Sequence, residues 1–177
     1  MTFKKTLAAL AALAGLSANA AQAQTPCVTT PEATSIALVA MPEVIRQVGQ
    51  ICAARVPAGS LLRQTDGTFI ARYQAEAERA WPAARTALGR VAGPDIAPLL
   101  QSDFTRPMLV SLLAPALVDA VKPQDCSEID RIVTLAQPLP PQNAAGLIVA
   151  TLKLTRDKQA EFGNATLDIP ICRDDRR

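Results

Sequence analysis

The chain has 177 residues, 18 basic and 16 acidic, with no histidine, four cysteines and six aromatic residues. The absence of histidine removes the usual general base and the Ser-His-Asp arrangement. A near-neutral charge without a basic block gives no electrostatic reason to expect nucleic acid or an anionic membrane as a partner.

The N-terminus reads as a bacterial secretory signal peptide: Lys4 and Lys5, an apolar run from Thr6 to Leu16, then Ala21-Gln22-Ala23 as a small-residue cleavage signal. Residues 1–23 are assigned to it and 24–177 to a single helical domain, with 173–177 a solvated tail. Cleavage leaves 154 residues, enough for one domain with its own core, and removing Lys4 and Lys5 balances 16 basic against 16 acidic residues. The address that follows is periplasmic or secreted. In that setting Cys27, Cys52, Cys126 and Cys172 are expected in disulfides, for which four cysteines allow three connectivities. None of them forms CxxC, and with no histidine nearby a zinc site has no support.

Thr30-Pro31-Glu32 marks a helix start: a capping hydroxyl, proline in the first turn and an acid at the positive end of the dipole. Proline interrupts the helical hydrogen-bond ladder, so the helix is expected to end or kink at Pro42. A second then runs to about Arg55 with Val44, Ile45, Val48, Ile51 and Cys52 on one stripe. If these two helices fold back on each other, Cys27 meets Cys52, and that pairing is the expectation. A linker at 56–60 leads through Leu61-Leu62 and the Asp66-Gly67 turn to a third helix, Thr68 to Leu88. Its apolar side carries Phe69, Tyr73, Ala77, Ala80, Trp81, Ala84 and Leu88, with a kink expected near Pro82. Arg72, Glu76 and Arg79 fall on the other side at i, i+4 and i+7. They are speculative contacts for an acidic ligand, although such triplets are usually solvated helix faces.

Gly93-Pro94-Asp95 breaks the chain, and Ser102 is placed as the cap of a fourth helix, about Asp103 to Val121. Phe104, Met108, Leu112, Leu113, Ala116 and Leu117 are its expected inward face, with a bend at Pro115. From Arg131 to Lys153 lie 21 residues without a charge. Ser127 and Asp130 suggest a capping box, and Ile129, Ile132, Val133 and Ala136 form one stripe. Gln137-Pro138 ends that helix, and Leu139-Pro140-Pro141 makes a stiff corner. The helix beyond it, from about Ala144, is apolar nearly all round. This hairpin is expected to be buried at the centre of the fold, its arms antiparallel. A membrane span is rejected because three prolines and three side-chain amides sit in its middle. Asn164 to Ile171 looks extended and delivers Cys172. With antiparallel arms, Cys126 lies at the hairpin's open end, so Cys126–Cys172 is the second expected pairing.

The fold class is therefore all-α: a bundle of five or six helices with proline kinks, ending in a helical hairpin and a disulfide-stapled tail. The signal peptide, MPEVIRQVGQICAARVPAGSLL and CSEIDRIVTLAQPLPPQNAAGLIVATL together resemble small exported helical proteins of proteobacteria. That resemblance implies a fold and an address, and transfers no functional residue.

No phosphate loop, metal motif or nucleophile elbow occurs, and no cofactor is expected. Glu76 and Glu78 are two apart on a helix and point different ways, Asp174 and Asp175 lie in the tail, and Asp103 and Asp119 read as helix-end or solvated charges. A histidine-independent enzyme using carboxylates thus ranks behind two non-enzymatic readings. One is an interaction or accessory module for a periplasmic protein. The other is a carrier of a small apolar or acyl ligand between helices, for which Ala144, Ala145 and Gly146 leave room. The interaction module is placed ahead of the carrier, and a pocket larger than one water, or lipid retained in native mass spectrometry, would reverse that order.

Overall fold

A computed structural model describes residues 26–95, 98–102, 104–162 and 170–172, with backbone alone for 156–162. Among them are five α-helices: α1 (Thr30–Cys52), α2 (Thr68–Ala92), α3 (Thr105–Val118), α4 (Cys126–Ala136) and α5 (Pro141–Phe162). Single 3-10 turns at Leu61–Arg63, Leu99–Gln101 and Pro123–Asp125 precede α2, α3 and α4. Among the described residues the one β-type contact is a parallel bridge between Val28 and Ile171. There Val28 N–H donates to the Pro170 carbonyl at 2.7 Å and Cys172 N–H donates to the Val28 carbonyl at 2.8 Å. The all-α fold with a disulfide-held C-terminal end is as expected. Residues 1–23, read from the sequence as a signal peptide, residues 164–169 of the segment expected to be extended, and residues 173–177 lie outside the described residues.

The hub is α1. Between Glu32 and Cys52 only Gln50 is exposed, because α2, α3 and α5 all pack on this helix. Four apolar clusters follow one another along it. Val28, Ala33, Val149 and Ile171 gather at its N-terminal end, then Leu38, Val39, Ala80, Ala84 and Ala145. Ile45, Phe69, Ile70, Tyr73 and Ala144 come next, and Val48, Cys52, Leu62, Val118 and Cys126 close the far end. Burial of this kind is the dominant stabilising term, about 25 cal/mol per Å² of apolar surface removed from water.

At Pro42 and Pro82 the helices continue, so neither proline ends its helix and α1 is not divided. An interior proline costs about 3 kcal/mol, which the enclosure of α1 on three sides offsets. Pro82 is itself exposed, and so is Glu78, whose carbonyl it leaves without a helical donor, so water can replace the missing bond.

The undivided α1 also overturns the first cysteine pairing. Its 23 residues span about 34 Å. Cys27 and Cys52 therefore sit at opposite ends, far beyond the roughly 7 Å that a disulfide tolerates between Cα atoms. The bridges are Cys27–Cys172, with Cα atoms 5.0 Å apart, and Cys52–Cys126, at 5.4 Å.

Cys126–Cys172 fails for a related reason. Cys126 starts α4 beside Cys52 at the C-terminal end of α1, and Val133, further along α4, reaches Ile45. After the corner, Ala144 also packs at Ile45, Ala145 at Leu38 and Val149 at Ala33. Lys153 then donates to the Thr30 hydroxyl at 2.9 Å. Both helices thus advance toward the N-terminal end of α1, one after the other, and make little contact beyond their corner. The hairpin is open, not closed antiparallel, and its two far ends lie at opposite ends of α1.

Nor is the hairpin the buried centre. Ala144, Ala145 and Val149 face inward, but Ile132, Leu135, Leu147, Ile148, Leu152 and Leu154 are exposed. On α3 the stripe is rotated in the same sense. Phe104, Met108 and Leu112 point outward and Ala116 is exposed, while Ala114 and Val118 are the buried positions. Leu113 and Leu117, also expected inward, are half-buried at the edge of that buried face.

Helix starts also shift. Thr29 caps α1, with its N–H and hydroxyl both donating to Glu32 Oε2 at 2.8 Å. Helix α3 begins at Thr105, and the Ser102 hydroxyl accepts from Phe104 N–H at 3.3 Å. In α4, Asp125 occupies the N-cap and Asp130 is not a capping partner. Instead, Asp130 accepts from the buried Ser60 hydroxyl at 2.5 Å, fastening the turn before α2 to α4.

Candidate functional site

The open hairpin leaves a groove of about 350 Å³. Met41 and Ile45 of α1 and Phe69 and Tyr73 of α2 line one side of it. Ile132, Val133 and Ala136 line it from α4, and Ala144, Leu147, Ile148, Thr151 and Leu152 from α5. The Thr151 hydroxyl is turned back to the Leu147 carbonyl at 2.9 Å, so it presents no free donor. The lining carries no charged side chain. Leu135 and Leu154 extend the apolar surface past the groove and are 69% and 65% exposed. Monomeric proteins rarely leave so many large apolar side chains together in water unless something covers them.

Arg72, Glu76 and Arg79 are not gathered around an open space. Arg72 turns to the groove's aromatic end, its guanidinium 5.0 Å from the Phe69 ring centroid and 5.1 Å from that of Tyr73. Its Nη1 donates to the carbonyl of Gln137, the C-cap of α4, at 2.5 Å. A cation there meets the negative end of the helix dipole. Arg72 Nε and Nη2 are buried with no hydrogen-bond acceptor, so the two rings and the helix end carry the compensation of its charge. Glu76 is buried and accepts from Arg79 through one oxygen and from Gln142 of α5 through the other. Two members of the triplet join α2 to the hairpin, Arg72 by bonding the end of α4 and Glu76 by bonding the start of α5.

The carboxylates are likewise dispersed. Glu78 pairs with Arg106 at 2.5 Å, away from Glu76, and Asp119 is exposed. Asp103, Asp174 and Asp175 lie outside the described residues. Among the described residues no cluster of three or more cysteine, aspartate or glutamate side chains is placed to hold a metal ion. No helix among them is long and apolar enough to cross a membrane. Two disulfides suit an oxidising compartment.

Sequence reasoning found the apolar residues of α4 and α5 but assigned them to the core. The signal that could have found the groove is the breadth of apolar residues around α5, more than a single neighbouring helix can cover. The architecture defines a disulfide-bonded all-helical domain with an open apolar groove. No protein-family model, no curated protein and no solved structure matches this chain.

Proposed function

We propose that this is an exported, non-enzymatic interaction module that docks a partner protein on the outward face of its open hairpin. The observation that carries the reading is the apolar surface that fills the groove and runs beyond it to Leu135 and Leu154. A partner helix with an apolar stripe would cover residues inside and outside the groove together, which a small molecule would not. Export and signal cleavage rest on the N-terminal pattern, and two disulfides accord with an oxidising compartment.

A second reading, a carrier of a small apolar or acyl ligand, is favoured by the uncharged lining and by a groove far larger than one water, at the lower end of roughly 300–1,000 Å³ ligand sites. It is placed second because the exposed apolar surface continues past the groove to Leu135 and Leu154. The deciding experiment places a photo-crosslinker at Leu154, outside the groove, and at Gln64, an exposed control on the turn before α2. A protein adduct specific to the Leu154 probe, lost when Leu147→Glu is added, supports docking. Identical adducts at both positions reject it. Lipid retained by the purified chain in native mass spectrometry, and lost in the same variant, supports the carrier.

A further inference from the structure

A second cleft, of about 620 Å³, opens between α1, α2 and the start of α3 on residues separate from the hairpin groove. Its charges are not balanced. Arg46 pairs with Glu43 at 3.2 Å, and Arg106 pairs with Glu78 at 2.5 Å. Arg85, the third arginine of the lining, has no hydrogen bond or ion pair among the described residues. One guanidinium is therefore left to solvent inside a concave site. Beside it the wall is apolar and largely flat or rigid, formed by Trp81, Pro42, Pro107, Val39 and Val110. Trp81 and Arg85 lie four residues apart on α2, so they share one face of that helix.

We propose that this cleft binds a small organic monoanion with a flat apolar body, an aromatic carboxylate being the simplest member of the class. The carboxylate takes Arg85, whose planar fork matches two carboxylate oxygens. The ring packs along Trp81 and the prolines, where flat faces bury apolar area with little loss of conformational entropy. Arg46 and Arg106 already hold carboxylates, so the site discriminates by charge as well as by shape: one anionic group is accommodated, and a second would meet Glu43 and Glu78.

Trp81 is the chain's sole tryptophan, so its indole N–H gives one NMR resonance that reports on this cleft. The full mature chain is titrated at constant ionic strength with benzoate, with uncharged benzamide and with acetate. Benzoate is expected to shift the Trp81 signal saturably, with benzamide and acetate at least tenfold weaker. Arg85→Gln should weaken benzoate tenfold or more, Arg85→Lys should recover part of that loss, and Arg131→Gln on the exposed face of α4 should change nothing. Equal binding of benzamide, equal binding of acetate, a non-saturating shift or an unaltered R85Q titration would each overturn the proposal. Circular dichroism of R85Q separates loss of binding from loss of fold.

Discussion

Arg90, at the end of α2, holds both carboxylate oxygens of Glu32 in the first turn of α1, at 2.8 and 2.5 Å across 58 residues of sequence. The same guanidinium donates to the Cys27 carbonyl at 3.1 Å, so the pair also braces the segment that carries a disulfide. The Arg90 hydrogen bonds, followed by the Thr29 backbone N–H, hold the Glu32 carboxyl at about 2, below its ordinary 4.5.

A carboxylate with a depressed native pKa stabilises the fold above its unfolded value, and that contribution fades as pH falls. For Glu32 it is fully present above about pH 5 and lost between pH 4.5 and 2. After discounting for solvent screening, it amounts to about 1–2 kcal/mol at neutral pH. Urea unfolding of wild type and Glu32→Gln should differ by that amount at pH 7 and converge by pH 2. A constant difference across that range would place the effect in packing instead.

Two glycines in helices should answer the same substitution with opposite signs. A Cβ on Gly49 of α1 would lie 2.1 Å from the Leu62 carbonyl oxygen, a backbone atom that cannot swing aside. Gly49→Ala must push the Leu61–Arg63 turn off α1 and should cost roughly 2–4 kcal/mol, near the top of the range for overpacking. At Gly146 of α5 nothing lies within 4 Å of the added carbon. There alanine should stabilise by about 0.5–1 kcal/mol through helix propensity. Thermal unfolding of the two variants beside wild type checks both signs.

Gly49 also shows what the sequence left readable. A glycine inside a helix only signals a propensity cost of about 1 kcal/mol, and the Leu62 carbonyl that requires it at this position is fixed by the tertiary path. The helix positions were legible because they rest on local signals: Thr29-Thr30-Pro31-Glu32, Gln137-Pro138 and the Gly93 break, where φ is +88°. The buried faces were legible on α1 and α2, where Ile45, Val48, Cys52, Phe69, Tyr73, Ala77, Ala80 and Ala84 are buried as expected, but not on α3 to α5, since hydropathy marks a residue as apolar without saying whether a neighbour covers it. Phe104, Leu147 and Leu152 were misplaced for that reason. Pro42 misled in another way: a local rule divided α1, and the enclosure that overrides the rule comes from α2, α3 and α5. The cleft at Trp81 and Arg85 was invisible because its walls come from three helices with no common spacing.

The two arginines of the α2 triplet should separate sharply on mutation. Arg72 is partly buried, bonded to the end of α4 and packed against two rings, whereas the Arg79 side chain is 68% exposed. Arg72→Gln removes a charge-assisted hydrogen bond and a cation–π contact, together about 2–3 kcal/mol. In a domain of this size that lowers Tm by roughly 4–12 °C. Arg79→Gln loses an exposed partner of Glu76, which keeps Gln142, and should cost about 0.5 kcal/mol or less. Calorimetry of the two variants distinguishes them, and equal Tm shifts would contradict the assignment of Arg72 as the tie to α4.

The disulfides differ in accessibility, which fixes the order in which they break. Cys52 and Cys126 are fully buried between α1 and α4, while Cys27 and Cys172 are half-buried at the chain ends. A thiolate must reach a sulfur to exchange with it, so mild reduction should open Cys27–Cys172 first. The bridges enclose sequence separations of 145 and 74 residues. For loops this long the chain-entropy contribution is roughly 4–5 kcal/mol each. Losing Cys27–Cys172 frees the strand-like ends of the Val28–Ile171 bridge, and with them one side of the N-terminal cluster, but leaves the other three α1 clusters assembled. Losing Cys52–Cys126 opens the cluster where α3 and α4 meet α1. Stepwise reduction with alkylation and non-reduced peptide mapping should recover linked Cys52–Cys126 peptides after Cys27 and Cys172 are alkylated. Helical circular dichroism should persist through the first step and fall only with the second.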